Sequence, residues 1–187
     1  MSNRRRGDWL QTYTGKCFWP MDPREEDVDV VDIAQALGAC ARFAGHTKFP
    51  HSVAMHCVMV AEYCSPEHRL IALLHDASEA YLGDIVSPFK HDPCMAPYRE
   101  VEARVQAVVF RALDIEVPII DGVPVLPDDV HLADRRSLST EVRDLMANPF
   151  AWSNLLPPYP ESIRYYEQGR AAAMFLERWE KYRKGGP

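Results

Sequence analysis

Apolar residues recur every three to four positions through most of the chain, the period of amphipathic helices. After Asp29, the positions Val30, Ile33, Ala34, Leu37 and Ala41 predict a helix ending near Arg42-Phe43. Ser52 is placed as an N-cap before Val53, His56, Cys57, Val60 and Cys64. Ser65-Pro66 stops that helix and opens another, from about Glu67 to Gly83. Leu70, Leu73, Leu74, Ala77 and Tyr81 form its stripe, and Gly83 is a natural C-terminal cap. Three further helices are expected over Tyr98–Leu113, Asp128–Met146 and Glu161–Lys184.

Elsewhere the helical period fails. Asp8–Pro20 has aromatic and Thr-rich arms around Thr14-Gly15, the pattern of a small hairpin lid. Val117–Pro127 is β-branched but broken by three prolines, so it is a loop or a short exposed hairpin. Asp84–Pro97 and Asn148–Pro160 are proline-containing connections. With no repeat and no strand–helix alternation, the class is all-α: a bundle of about six helices with an N-terminal hairpin.

Four polar residues violate this pattern. His56 lies three residues after Val53 and four before Val60, on the buried stripe of its helix. His75 and Asp76 follow Leu73-Leu74 inside an apolar helix, where an unpaired carboxylate costs several kcal/mol. Asp134 interrupts the stripe Val130, Leu138, Val142 on a distant helix. Glu79, four residues after His75 and three after Asp76, projects to their side. Two His and two Asp on inward faces of three helices suit a transition metal, and imidazole with carboxylate favours Mn, Fe, Co or Zn over Ca or Mg. The pattern alone serves equally a buried His–Asp hydrogen-bond network without metal.

Composition narrows the partners. The chain has 187 residues, the length of one domain, with the core expected over about 9–146 and a C-terminal connection and helix over 147–187. Its 27 acidic and 21 basic residues leave a net charge of −6, unsuited to gripping duplex nucleic acid by charge. Cys17, Cys40, Cys57, Cys64 and Cys94 contain no C-x-x-C pair, which argues against a zinc ribbon and for reduced thiols. The basic N-terminus is followed by no apolar segment, and no run is long enough to span a bilayer. The expected setting is therefore the cytoplasm.

The order His56, His75-Asp76, Asp134 resembles the H…HD…D signature of the HD-domain metal-dependent phosphohydrolases. Ser52–His56 looks like that family's first ligand helix and His75–Asp84 like its central HD helix. Ser87-Pro88-Phe89-Lys90 is similar to its proline-and-lysine loop, and Ala133-Asp134 with Glu141–Met146 completes the likeness, which runs over roughly Trp9–Met146. Within the family the chain resembles bacterial 5′-deoxynucleotidases and, more closely, small viral proteins that hydrolyse dATP.

The resemblance implies His56, His75, Asp76 and Asp134 as metal ligands, Glu79 as the catalytic carboxylate, and Asp84 as an acidic group near the attacking water, the sugar or a second metal. It implies Arg42 and Lys90 as phosphate contacts and Phe43 as a base or sugar contact, at the place where the deoxynucleotidases carry Trp. The implied reaction is hydrolysis of a 5′-phosphate ester of a deoxynucleotide, most simply dATP to deoxyadenosine and triphosphate, extending to dADP and dAMP. The alternative within the class is a general deoxynucleoside-monophosphate 5′-nucleotidase. The implied ion is Co, Mn, Zn or Fe, with Mg at a second site held by Glu79 and Asp84, and the implied assembly is a homo-oligomer without a membrane partner. A di-iron oxygenase of the HD fold would recruit His131 and His91. A non-catalytic nucleotide-binding protein would keep the fold alone. His46 is placed at a pocket mouth or on the surface, while His51, His68 and His91 have no special role in this reading.

Overall fold

The computed structural model describes residues 5–148 and 152–185. The described residues form eight α-helices and two short antiparallel hairpins, an all-α architecture. No described helix is long and apolar enough to cross a membrane. Part of the expected 148–160 connection, Pro149 to Ala151, lies outside the described residues.

The N-terminal hairpin pairs β1 (Leu10–Gln11) with β2 (Cys17–Phe18), Leu10 opposite Phe18. Its tip and its second strand are tied to the helical core. Thr14 donates from its N–H and its hydroxyl to Asp32 at 2.6 and 2.9 Å, and fully buried Phe18 stacks on Tyr81 at 3.8 Å between ring centres.

Helix α1 (Val30–Ala39) is capped by the Asp29 carboxylate, which accepts from the Val31 N–H. It buries Ile33, Ala34 and Leu37 and packs along α8 (Gln168–Tyr182). It stops short of the expected Arg42-Phe43 because the chain there finds another partner. Val53 N–H donates to Cys40 O, Arg42 N–H donates to His51 O, and Ala41 bridges Ser52. Arg42–Gly45 then forms a 3-10 turn in which Phe43 (φ 57°) and Ala44 (φ 50°) occupy the left-handed region. Helix α2 (Val53–Glu62) starts at Ser52, whose hydroxyl accepts from Met55 N–H as the spacing predicts.

The single helix expected over Glu67–Gly83 is broken in two, α3 (Arg69–Leu73) and α4 (Glu79–Leu82). His75 Nδ1 lies 2.7 Å from Ala72 O, the carbonyl that an uninterrupted helix would offer to the Asp76 N–H. Residues 74–81 run instead through tight three-residue bonds: Ala77 N–H to Leu74 O, Glu79 N–H to Asp76 O, Tyr81 N–H to Ser78 O. The break is bridged from α6 (Ala96–Ala112). Buried Gln106 accepts from Ser78 N–H at 2.8 Å and donates to Leu74 O at 2.7 Å. Gly83 (φ 81°) ends α4 with its N–H on Glu79 O.

The connection before α6 contains one more short helix, α5 (Ser87–Lys90). This turn and the split central helix account for eight helices where periodicity predicts six. The second hairpin pairs β3 (Ile119–Ile120) with β4 (Val123–Pro124) and is exposed. Helix α7 (Asp128–Leu145) runs nearly as expected.

The last helix begins at Gln168 rather than Glu161. The preceding strap bonds to side chains of α7 instead of coiling on itself. Ser139 and Thr140 accept from Leu156 and Tyr159 N–H groups, Asp144 accepts from Ile163 N–H, and Arg143 donates to Tyr159 O and Glu161 O.

Candidate metal centre

Three elements deliver the polar residues that break the apolar stripes. His56 comes from the middle of α2, His75 and Asp76 from the turn between α3 and α4, and Asp134 from the second turn of α7. One donor atom each from His56, His75 and Asp134 lie within 4.8 Å of one another, and so do those of Cys57, His75 and Asp76. His56 Nε2 stands 3.1 Å from Asp134 Oδ1 and 3.7 Å from Asp76 Oδ2. His75 Nε2 stands 3.2 Å from Asp76 Oδ2. Ligands bound to one ion at about 2.0–2.2 Å are separated from each other by roughly 3.0–3.6 Å.

The tautomers agree with ligation. A carbonyl only accepts, so the Ala72 O contact places the His75 proton on Nδ1 and turns the Nε2 lone pair inward. His56 Nδ1 is 2.8 Å from Glu141 Oε1, which does the same for His56. Both Nε2 atoms are buried and have no hydrogen-bond partner among the described residues, although carboxylate oxygens are close. Buried ring nitrogens without partners are expensive unless something else meets them. The residues present therefore fit a divalent ion. The centre is open on its carboxylate side: His56 is fully buried, whereas the Asp76 and Asp134 side chains are 23% and 41% exposed.

Electrostatics point the same way. Burial would raise the Asp76 carboxyl, but His75, His56 and Arg42 hold it well below the usual carboxylate range. Burial would raise Asp134 as well, and His56 and His75 keep it low. Conversely, burial disfavours the His75 cation, yet Asp76 lifts its pKa well above the ordinary imidazole value. Burial and Arg42 oppose protonation of His56, while Glu141 and Asp134 raise it. A divalent cation among these groups would meet the same carboxylates that raise the two imidazoles, and its binding would compete with protons there.

Glu79 sits at the start of α4, nearly fully buried, with Oε2 unpartnered. Its carboxyl is pushed up to about 9 by burial and by the nearby charges of Asp76 and Asp84. Asp84 follows the Gly83 cap, half-buried, and burial raises its carboxyl too. The Lys90 ammonium is 2.7 Å from Glu102 Oε1 and 3.3 Å from Glu79 Oε1, so it bridges two carboxylates. Arg42 is largely buried. Its Nη2 donates to Glu141 Oε2 at 2.9 Å, Nη1 is 3.8 Å from Asp76 Oδ2, and Nε has no partner. The Phe43 ring stands 5.3 Å from the Arg42 Cζ and edge-on to Trp152 at 6.3 Å.

All nine residues singled out in the sequence thus have a stated place: His56, His75 and Asp134 in one donor group with Asp76 beside both imidazoles, Glu79 and Asp84 at opposite ends of α4, Arg42 with Phe43 on the turn after α1, and Lys90 bonded to Glu79. His131 and His91 are exposed and belong to neither donor group, which leaves a two-metal oxygenase site without its extra ligands. His46 is exposed, and His68 pairs with Asp129.

Sequence reasoning missed Glu141, His51 and Gln106. Glu141 had a readable signal: seven residues after Asp134 is two helical turns, so the two share a face. His51, buried against Glu141 Oε1 at 3.2 Å, lies outside any helix and carries no periodic signal. Cys57 beside His75 is a further potential donor, its thiol raised by burial.

No family model matches the chain. Among curated proteins, the uncharacterized protein YfdR of Escherichia coli (strain K12) is 31% identical over 175 residues, spanning 91% of this chain and 93% of that protein. The uncharacterized protein RCAP_rcc00048 of Rhodobacter capsulatus is 34% identical over 126 residues, 63% of each chain.

Proposed function

The chain belongs to the family of YfdR, and we propose that it is a metal-dependent phosphohydrolase of the HD type acting on deoxynucleotides. The observation that carries this reading is the approach of donor atoms of His56, His75 and Asp134 to within 4.8 Å of one another, with Asp76 Oδ2 3.2 Å from His75 Nε2 and 3.7 Å from His56 Nε2, and both ring nitrogens buried and unpartnered. The order of these ligands resembles the HD signature. A divalent ion there, of the Mn, Fe, Co or Zn type, would polarise a phosphoryl oxygen and lower the pKa of water.

The protein's own residues supply the rest. Arg42, fixed at one end by Glu141, has Nε unpartnered and Nη1 facing Asp76, a cationic wall for phosphate. Phe43, beside Arg42, offers an aromatic face to the base or sugar. Glu79 Oε2, buried and unpartnered, moves the proton. Water attacks phosphorus, the bond from phosphorus to the 5′-oxygen breaks, and the water's proton passes by way of Glu79 to that oxygen. A triphosphate yields deoxynucleoside and triphosphate; a monophosphate yields deoxynucleoside and phosphate. Lys90 is assigned to hold Glu79 in place rather than to touch phosphate, because both its carboxylate partners are already within reach.

The test is turnover of deoxy- and ribonucleoside mono- and triphosphates with Co, Mn, Zn and Mg, the products resolved by chromatography. Release of deoxynucleoside that is lost in Asp76→Ala and slowed about 10²–10⁴-fold in Glu79→Gln is expected. Turnover of no nucleotide with any metal, or full activity in Glu79→Gln, overturns the reading.

A further inference from the structure

Glu141 is fully buried. A buried carboxylate costs several kcal/mol unless its lone pairs are occupied. Here they are occupied by three donors. His56 Nδ1 meets Oε1 at 2.8 Å, His51 Nε2 meets the same oxygen at 3.2 Å, and Arg42 Nη2 meets Oε2 at 2.9 Å. Two of these donors belong to the candidate centre, and each is fixed by Glu141 from behind.

We propose that Glu141 is the positioning residue of the centre, setting the ligating face of His56 with one carboxylate oxygen and aiming the Arg42 guanidinium with the other. The inference rests on the metal-centre reading above and deepens it. An ionised carboxylate only accepts, so Oε1 keeps the His56 proton on Nδ1 and leaves the Nε2 lone pair for the ion. That Nε2 is itself completely buried and unpartnered, 3.1 Å from Asp134 Oδ1, so it is aimed at the centre and at nothing else. Oε2 engages Arg42 at Nη2 only, which leaves Nε free and Nη1 turned toward Asp76.

Helix α7 makes both functions one rigid unit. Asp134 and Glu141 stand two turns apart on one face, so a single helix supplies a ligand from one side of His56 and its buttress from the other. His51 lies just before the Ser52 cap of α2, and its bond to Oε1 fixes the carboxylate relative to the helix that carries His56. Arg42 and Arg-facing Glu141 also tie the left-handed Phe43-Ala44 turn to the same helix.

The experiment compares Co(II) binding to wild type and Glu141→Gln by calorimetry, with circular dichroism to show both are folded. Glu141→Gln keeps shape but turns an amide toward donors that need an acceptor. Its Co(II) affinity is expected to fall about 10–100-fold, and its KM for the nucleotide to rise through Arg42 with that metal saturating. If Glu141→Gln does not fold, Glu141→Asp replaces it, and an intermediate affinity is expected. A second measurement needs no variant. In the Zn-loaded protein, nitrogen-15 spectra of the His56 ring should show a solvent-protected proton on Nδ1 and none on Nε2. A proton on Nε2, or wild-type Co(II) affinity in the folded variant, overturns the proposal. Wild-type protein that binds no Co(II) at all overturns the metal reading itself, so the two failures are distinguishable.

Discussion

The turn that carries His75 and Asp76 depends on a residue 30 positions away, and replacing Gln106 by Leu tests this. Gln106 is the acceptor for Ser78 N–H and the donor to Leu74 O, both within a shell that water does not reach. Gln106→Leu has a similar volume, but it leaves one backbone donor and one acceptor buried without partners. Each such group costs about 1–3 kcal/mol. The extra apolar burial returns on the order of 1 kcal/mol, so the net loss is about 1–5 kcal/mol. Against a total stability of about 5–15 kcal/mol, and at about 2–4 °C per kcal/mol for a chain of this size, Tm should fall by roughly 2–20 °C.

Gln106→Glu separates the two bonds. It keeps an acceptor for Ser78 N–H but sets an oxygen against Leu74 O, so it should lose at least as much stability at neutral pH. Urea unfolding followed by circular dichroism measures both variants, and calorimetric Co(II) titration reports whether the turn still delivers its two ligands. A Gln106→Leu protein within about 0.5 kcal/mol of wild type, the range of an ordinary surface substitution, would refute the clamp.

Three further outcomes follow from particular contacts. In the metal-free protein, Glu79 is pushed up to about 9 from 4.5, so its contribution to stability is full below about pH 4.5 and is lost as pH rises toward 9. Glu79→Gln should therefore match wild type at pH 4 and exceed it by about 3 kcal/mol at pH 7, and equal urea midpoints at pH 7 would contradict the burial of a neutral carboxyl. In Gly38→Ala the new Cβ would meet the Gln168 backbone oxygen at 3.0 Å and Ala172 Cβ at 3.2 Å; overpacking of about 1–3 kcal/mol should exceed the helix-propensity gain of about 1 kcal/mol, whereas a net gain in chemical denaturation would show that α1 and α8 are not in such close contact. Phe43→Ala should raise KM for the deoxynucleotide about 5–150-fold, the loss of about 1–3 kcal/mol of base–aromatic stacking, with kcat kept; an unchanged KM in steady-state kinetics removes Phe43 from the site.

The helices were legible because their signal is local. The 3.6-residue stripe, the Ser52 cap and the Gly83 stop each depend on neighbours within one or two turns, and each is found. Two of the misplaced boundaries have a non-local cause. Helix α1 stops early because Arg42 and Val53 exchange backbone bonds with the strand-like Cys40 and His51. The strap before α8 stays extended because Ser139, Thr140, Arg143 and Asp144 on α7 take its backbone groups. Periodicity carries no information about such partners, so it continues a helix through them.

The candidate centre divides along the same line. His56, His75, Asp76 and Asp134 stand out in sequence because charge and imidazole interrupt apolar stripes. The residues that make those four converge do not stand out. Gln106 is one amide in a helix, His51 lies in a loop, and Glu141 resembles any acid near Arg143 until its burial is known. This asymmetry is physical rather than accidental. A ligand must break the pattern of its own helix to face inward, so it is visible locally, whereas a buttress is defined by what stands behind the ligand on another element. A broken helix at His75, closed by Gln106, and a buried acid at position 141, closed by Arg42 and two His, are therefore the features that sequence reading should seek next. Each is an unpaired polar group on one element whose partner a second element must supply.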